Sequence, residues 1–243
     1  MVYRRRDPSG RAFRVKRVAM GRYVSALVLG LAGAGVLIAL GVWQLQRLTW
    51  KEAILARIER TISADPVALP ADPDAARDQY VPVAVSGSFT GQEIRVLASM
   101  KQIGAGYRLV AAFVTEDGRR IMVDRGLLPL EEAADAPAAG PARIQGNLHW
   151  PDETDSYTPA PDAKTGLWFA RDVQGLAAAL QTEPVLVVQR AADPTDPAVI
   201  AIPVDTANIP NDHLGYAITW FSLAVVWLGM TAYFLWRIRR RQA

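Results

Sequence analysis

The stretch VSALVLGLAGAGVLIALGVWQL, residues 24–45, decides the fold class of this chain. Its 22 residues carry no charge, and the nearest charged residues on either side are Arg22 and Arg47. A helix of about 20 apolar residues crosses a hydrocarbon core of about 30 Å, and glycines such as those found here are frequent in bilayer helices. The stretch therefore predicts a transmembrane helix. A cleaved signal peptide is the alternative, but the apolar core is longer than a signal needs and no A-x-A cleavage site follows it.

A second uncharged stretch lies near the other end of the chain, at residues 217–236, and Arg237 ends it. Its 20 residues are also enough to cross a bilayer. Aromatic residues lie at or near the ends of both stretches, as in the interfacial belts of membrane proteins; they are Tyr23, Trp43, Trp50, Tyr216, Trp220 and Trp236. The sequence thus predicts two membrane spans with a large segment between them.

The net charge of +3 conceals an uneven distribution of charge along the chain. Residues 1–22 carry a net charge of +7, residues 237–243 carry +4, and the residues between them carry −8. Because basic flanks stay in the cytoplasm, both ends are expected there and the acidic middle is expected across the membrane. A composition rich in Arg, Ala, Pro and Asp favours a bacterial inner membrane, with the middle in the periplasm, over a mitochondrial one. Topology and contact with anionic lipid explain the basic ends, so no nucleic-acid binding is expected.

Five segments follow from these features. They are a basic cytoplasmic N-terminus at 1–22, a transmembrane helix at 23–46, an extracytoplasmic domain at 47–212, a second transmembrane helix at 213–236 and a basic cytoplasmic tail at 237–243. The first helix is expected to continue past the membrane to about Ser63, because Asp65-Pro66 breaks the pattern.

The middle domain changes its apolar period from 3.6 to 2 after Tyr80. Short strands are predicted at 80–86, 93–99, 107–115, 120–127, 143–149, 167–170, 185–190 and 200–204, with a hairpin turn at 116–119 and one helix at 173–181. The segment 131–141 is predicted to be a loop. This pattern indicates a mainly β (α+β) domain, either a small barrel or a strongly twisted antiparallel sheet.

Cysteine is absent, and the only histidines are His149 and His213. The composition excludes disulfides, thiol nucleophiles, Cys-ligated zinc and iron–sulfur clusters, and it leaves few places for a Ser–His–Asp triad. A membrane-tethered hydrolase is the enzymatic alternative, but the chain has no GxSxG motif. We therefore predict that the protein is not an enzyme.

Two groups of residues at the membrane surface could carry chemistry. Where the first helix leaves the bilayer, the group is Trp43, Gln44, Arg47, Trp50 and Lys51. Simple anchoring explains it, with Trp at headgroup depth and cations reaching phosphates; a platform for an amphipathic ligand or a partner helix is the functional alternative. Where the second helix begins, the group is His213, Tyr216 and Trp220, which share one helical face. A neutral imidazole there could ligate haem iron, or it could simply bind a carbonyl or water.

Two motifs of the middle domain are weaker candidates. Arg125 follows Asp124 at the end of a predicted strand, and it is either half of an ion pair with that neighbour or an anion-binding residue. The run Trp168 to Asp172 is explained by core packing, with Asp172 as the cap of the following helix.

Taken in order, these motifs resemble the surfeit locus protein 1 family, membrane factors for cytochrome c oxidase biogenesis. The resemblance rests on Gly41 to Lys51, Gly104 to Arg108, Val123 to Gly126 before Pro129, Trp168 to Asp172, and Asn211 to Trp220. The first and last of these are the specific ones.

The resemblance implies a chaperone-like assembly factor of the respiratory chain that helps to insert haem a into oxidase subunit I. His213 would ligate the iron, and Tyr216, Trp220, Trp43 and Trp50 would line the porphyrin. Arg47, Arg125 or Lys51 would meet the propionates, and Gln44 belongs to the site as a residue of the first motif. The expected partners are subunit I, the haem a synthesis machinery and the lipid bilayer. A scaffold that stabilises nascent subunit I without touching haem is the alternative.

Overall fold

A computed structural model describes residues 9–101, 103–132, 137–207 and 209–240 of the protein. Three predicted features lie wholly or partly outside these residues. They are the basic group at Arg4 to Arg6, the last tail arginine, Arg241, and the centre of the predicted loop at 131–141. The described residues form two compact units: a helical unit, which runs up to Ile54 and resumes at Ile209, and a sheet unit, Leu55–Asn208.

The helical unit is built from α1 (Ser9–Ile62), apart from its last turns, and α4 (His213–Arg240). Within the described residues, Met20–Ile62 and His213–Arg240 are each long enough and apolar enough to cross a membrane. The predicted spans at 24–45 and 217–236 lie inside these helices. α1 is one uninterrupted helix, and it ends just before the position predicted from Asp65-Pro66, because a residue that precedes proline is disfavoured in a helix.

Small residues line the contact between α1 and α4. Ala217 and Ala224 of α4 are buried, and Gly30 and Gly33 of α1 lie against Thr231 and Trp227 with no room for a Cβ atom. Close packing of backbones at small residues is how apolar helices associate in a bilayer, where the lipid tails are as apolar as the side chains.

Among the residues that the structure describes, the sheet unit contains six strands, two short α-helices and a 3-10 helix at Leu130–Glu132. The strands are β1 (Val67–Ala68), β2 (Pro82–Met100), β3 (Gly104–Thr115), β4 (Arg120–Pro129), β5 (Ala139–Leu148) and β6 (Leu186–Asp193), and the helices are α2 (Ala75–Asp78) and α3 (Val173–Leu180).

The sheet is mixed, so the prediction of an antiparallel sheet was wrong in part. β4 pairs with β6 in parallel, as β1 does with β2, whereas β2–β3, β3–β4, β2–β5 and β5–β6 are antiparallel. The pairings β2–β3–β4–β6–β5–β2 form a closed cycle. The cycle is possible because β2 is long enough to pair with both β3 and β5.

Two details of the strand prediction also differ from the structure. The strands predicted at 80–86 and 93–99 are one strand, β2, and the residues between them form a bulge, with a register shift between Phe89 and Glu93. The strands predicted at 167–170 and 200–204 are single bridges, Val96 with Trp168 and Leu127 with Ile200. The hairpin turn at 116–119 and the helix after Asp172 are confirmed, and Asp172 caps α3 by accepting from the amide of Gln174 at 3.1 Å.

The core of the sheet unit has two parts, one on each face of β3 and β4. Phe113, Ile121 and Val123 belong to the first part, whereas Ala112 and Met122 belong to the second, where α3 packs. Because successive side chains of a strand point to opposite faces, a strand covered on both sides is apolar throughout. This explains the continuous apolar runs of β3 and β4.

Candidate functional site

His213, the first residue of α4, meets α1 at Gln44. Its Nδ1 atom lies 2.8 Å from Oε1 of Gln44. Gln44 is only 9% exposed, and His213 is half-buried. An amide oxygen can only accept a hydrogen bond, so Nδ1 of His213 is the donor in this contact, and in a neutral ring the lone pair then lies on Nε2. Among the described residues, Nε2 has no hydrogen-bond partner.

A second contact ties the segment before α4 to α1. The Nζ atom of Lys51 donates to the backbone carbonyl of Pro210. Lys51 lies two turns beyond Gln44 on the same side of α1, since seven residues make about two turns. The approach to α4 is thus held at Pro210 and at His213, which restricts where the imidazole can lie.

Arg47 stacks between two tryptophans of its own helix. Its guanidinium carbon lies 5.8 Å from the ring centroid of Trp43 and 4.9 Å from that of Trp50. The two rings, one turn before and one turn after Arg47, are 48% and 56% exposed. Arg47 makes no ion pair within the part of the chain that the structure describes. Its N–H groups are therefore available to water or to an anion, while the rings hold the guanidinium plane.

Tyr216 and Trp220 lie on the same helix as His213 but outside these two contact groups. Tyr216 is 57% exposed and Trp220 is half-buried. No hydrogen bond or ring contact joins either residue to His213 or Arg47 among the described residues. The structure therefore brings together His213 with Gln44, and Arg47 with Trp43 and Trp50, and it leaves Tyr216 and Trp220 as nearby aromatic surface of α4.

Arg125 lies in the sheet unit and is buried between two carboxylates. It donates to Glu93 at 2.7 Å and to Asp196, and it stacks on Phe89. Burial raises the pKa of the Glu93 carboxyl, and the charge of Arg125 opposes that rise. The ion pair expected with the neighbouring Asp124 is not formed, because adjacent residues of a strand point to opposite faces. A role for Arg125 toward a ligand stays a prediction.

Asp124 is the centre of a buried ionic network that sequence reasoning missed. Its carboxylate is fully buried and accepts from Arg108 at 2.8 Å and from Arg171 at 2.9 Å. Arg171 also pairs with Glu153. Burial alone would raise the pKa of Glu153, but the hydrogen bonds and charge of Arg171 outweigh it and lower that pKa. The available signal was that Arg108, Asp124 and Arg171 each fall within one of the motifs named in the sequence analysis.

His149 lies close to this network and is held by Gln79. Its Nδ1 atom is 3.1 Å from the amide nitrogen of Gln79, which donates, and its ring stacks on Tyr80. Burial, together with the charge of Arg171, lowers the pKa of His149 to about 4. His149 is therefore a neutral structural residue at neutral pH, held by Gln79 at Nδ1 and by Tyr80 on one face of its ring.

The fold defines a class of protein, a mixed-sheet domain flanked in sequence by two helices of membrane-spanning length and composition. The profile of the SURF1 family matches residues 31–225, and the chain belongs to this family. The family prediction is therefore confirmed.

Three relatives illustrate the similarity. The chain is 30% identical to the SURF1-like protein of Monosiga brevicollis over 214 residues, which cover 80% of this chain and 82% of the relative. It is 27% identical to surfeit locus protein 1 of Rattus norvegicus over 206 residues, 76% of this chain and 67% of the relative. It is 29% identical to the SURF1-like protein of the bacterium Rickettsia bellii over 204 residues, 78% of this chain and 82% of the relative.

Proposed function

We propose that this SURF1 family member is an assembly factor for haem-copper cytochrome c oxidase, which receives haem a as cargo, holds it transiently and assists its insertion into subunit I. The observation that carries the proposal is the His213 imidazole at the start of α4, with Nδ1 bound to Gln44 and Nε2 without a partner among the described residues. A neutral imidazole with one engaged nitrogen is the form in which His ligates haem iron.

The other residues predicted for the site suit such a cargo. The exposed rings of Trp43, Trp50 and Tyr216 provide apolar surface for a porphyrin face. Arg47 provides a cation whose N–H groups have no ion-pair partner among the described residues and could meet the propionates. A single histidine ligand also suits a carrier, because cargo that is held by one bond to the protein can be released to another protein.

The proposal includes a position in the cell. Both termini lie in the cytoplasm of a bacterium, the two helices cross the inner membrane, and the sheet unit lies in the periplasm. Support comes from the charges of +7 and +4 on the two ends against −8 between them, and from the similarity to bacterial proteins such as that of Rickettsia bellii. The haem would then be held at the outer surface of the membrane.

The test is to produce the full chain together with the enzymes of haem a synthesis and to record absorption spectra of the purified protein. His213→Ala should lose the haem a bands, whereas the control His149→Gln should keep them. Unchanged haem content in His213→Ala would refute the ligand role. A wild-type protein that never carries haem, yet co-purifies with subunit I from a strain that cannot make haem a, would favour the scaffold instead.

A further inference from the structure

We infer that Gln44 is a positioning residue that fixes His213 as the Nδ1–H tautomer and thereby reserves Nε2 for the iron of the cargo. The inference rests on the proposed function for its purpose, but its geometric part concerns this chain alone. It is carried by the 2.8 Å contact between Nδ1 of His213 and Oε1 of Gln44.

The polarity of this contact decides which ring nitrogen can bind a metal. A neutral imidazole carries one proton, and only the other nitrogen has a lone pair for iron. The amide oxygen of Gln44 requires a proton on Nδ1, which leaves the lone pair on Nε2. His149 shows the opposite polarity within the same chain, because the amide nitrogen of Gln79 donates to its Nδ1. The proton of His149 then lies on Nε2.

The surroundings of Gln44 preserve this contact. Gln44 is 9% exposed, so water has little access to replace the amide oxygen. The bond from Lys51 to the Pro210 carbonyl holds the segment that leads into His213. Gln44 of α1 therefore holds the His213 ring at Nδ1. His213 itself is half-buried rather than fully enclosed.

An amide at position 44, rather than a carboxylate, fits a histidine ligand that must release the haem. Outer-shell partners orient a ligating histidine and raise its basicity, and a carboxylate does so more strongly than a neutral amide. Gln44 thus supplies orientation with little added ligand strength. A Gln44→Glu variant should retain the Nδ1–H tautomer but hold the oxidised haem more tightly.

The first test needs no haem. Full-length protein is labelled with ¹⁵N-histidine, purified without a histidine tag and studied by NMR in nanodiscs; a His213→Gln variant assigns the ring signals, since the chain has only two histidines. We expect the Nδ1–H form of His213 in the wild type and in Gln44→Glu. In Gln44→Met, which has a similar length but no strong acceptor, the Nε2–H form should appear. The matched control is Gln46→Met, at an exposed position two residues further along α1.

The second test uses haem a. Gln44→Met should weaken haem a binding about 10-fold or more, as the loss of an outer-shell partner does in metal sites, and Gln46→Met should not. Gln44→Glu should lower the reduction potential of the bound haem, a response that a merely structural contact would not give.

The outcomes separate this inference from the proposed function. An Nε2–H form in the wild type, or an unchanged tautomer in Gln44→Met, overturns the inference whether or not haem binds. A wild-type protein that shows the Nδ1–H form but binds no haem a upholds the control of the tautomer and overturns its haem purpose together with the carrier proposal.

Discussion

The indole nitrogen of Trp227 donates a hydrogen bond of 2.9 Å to the backbone carbonyl of Gly30. The same indole fills the space beside Gly33, where an added Cβ atom would lie 2.5 Å from Nε1. A large aromatic side chain of α4 therefore lies directly on the backbone of α1. This is possible only because α1 presents glycine there.

Gly33→Val should destabilise the association of α1 with α4 by about 1–3 kcal/mol, the usual cost of an added side chain in a packed contact. Gly35→Val is the matched control, because a Cβ atom on Gly35 meets nothing within 4 Å. Both changes alter helix propensity equally. Denaturant titration in lipid nanodiscs should show a lower midpoint for Gly33→Val alone, and equal midpoints would contradict the packing seen here.

Asp124→Asn should cost about 3–5 kcal/mol of stability. The change keeps the shape of the side chain but removes the negative charge that Arg108 and Arg171 share at 2.8 and 2.9 Å. Two buried guanidinium groups would then lack that charge, and breaking a buried ion pair on one side is costly for this reason. Urea unfolding of the full chain, followed by tryptophan fluorescence, measures the loss.

Asp152→Asn is the control for this change. Asp152 is exposed and makes no ion pair among the described residues, so its charge is solvated. We expect a change within about 0.5 kcal/mol, as is usual for surface substitutions. If the two variants unfolded alike, the network around Asp124 would not contribute to stability.

The sequence predicted those parts of the fold that are local. Both long helices follow from uninterrupted apolar stretches, the turn at 116–119 follows from its Asp117-Gly118 pair, and α3 follows from Asp172 as its cap. The pairing of the strands could not be predicted from the sequence. The pattern at 185–190 indicates a strand, but nothing in it says that β6 lies between β4 and β5 and runs parallel to β4.

The candidate site divides in the same way. Trp43, Arg47 and Trp50 are spaced so that their contact within α1 could be expected. The contact of Gln44 with His213 spans 169 positions of sequence, and the burial of Arg125 depends on Glu93 and Asp196, 32 and 71 positions away. Periodicity carries no information about such distant partners.

The stability of the protein should fall as the pH is lowered from 6.5 to 4, in part because of His149. Its pKa is about 4 in the folded state, against 6.5 for an ordinary histidine. Between these values the unfolded chain binds more protons than the folded one, so acidification favours unfolding. At pH 5 this contributes a loss of about 2 kcal/mol relative to pH 7.

His149→Gln removes this titration. Urea unfolding at pH 7 and pH 5 should show that the variant loses about 2 kcal/mol less than the wild type over the same interval. Comparing the two proteins cancels the titration of carboxylates that both share, such as Glu93 and Glu153. Parallel losses in the two proteins would mean that His149 is not held neutral by its surroundings.

Arg47→Gln should weaken the binding of haem a about 10-fold, because an exposed charge-assisted contact to a propionate contributes on the order of 1–2 kcal/mol. Arg57→Gln, an exposed site on α1 further along the chain, is the control for a general loss of positive charge. Titration of the purified chain with haem a, followed by absorbance, gives both affinities.

Haem a whose propionates are esterified tests whether Arg47 acts through the propionate charge. When the propionates are blocked as methyl esters, the wild type and Arg47→Gln should bind the haem equally well, because the ester carries no charge for the guanidinium to meet. A difference that persists with the ester would show that Arg47 acts through the rings of Trp43 and Trp50, for example by holding them in place. If the wild type and Arg47→Gln bound free haem a equally well, and also bound its ester equally well, Arg47 would not contribute to the site.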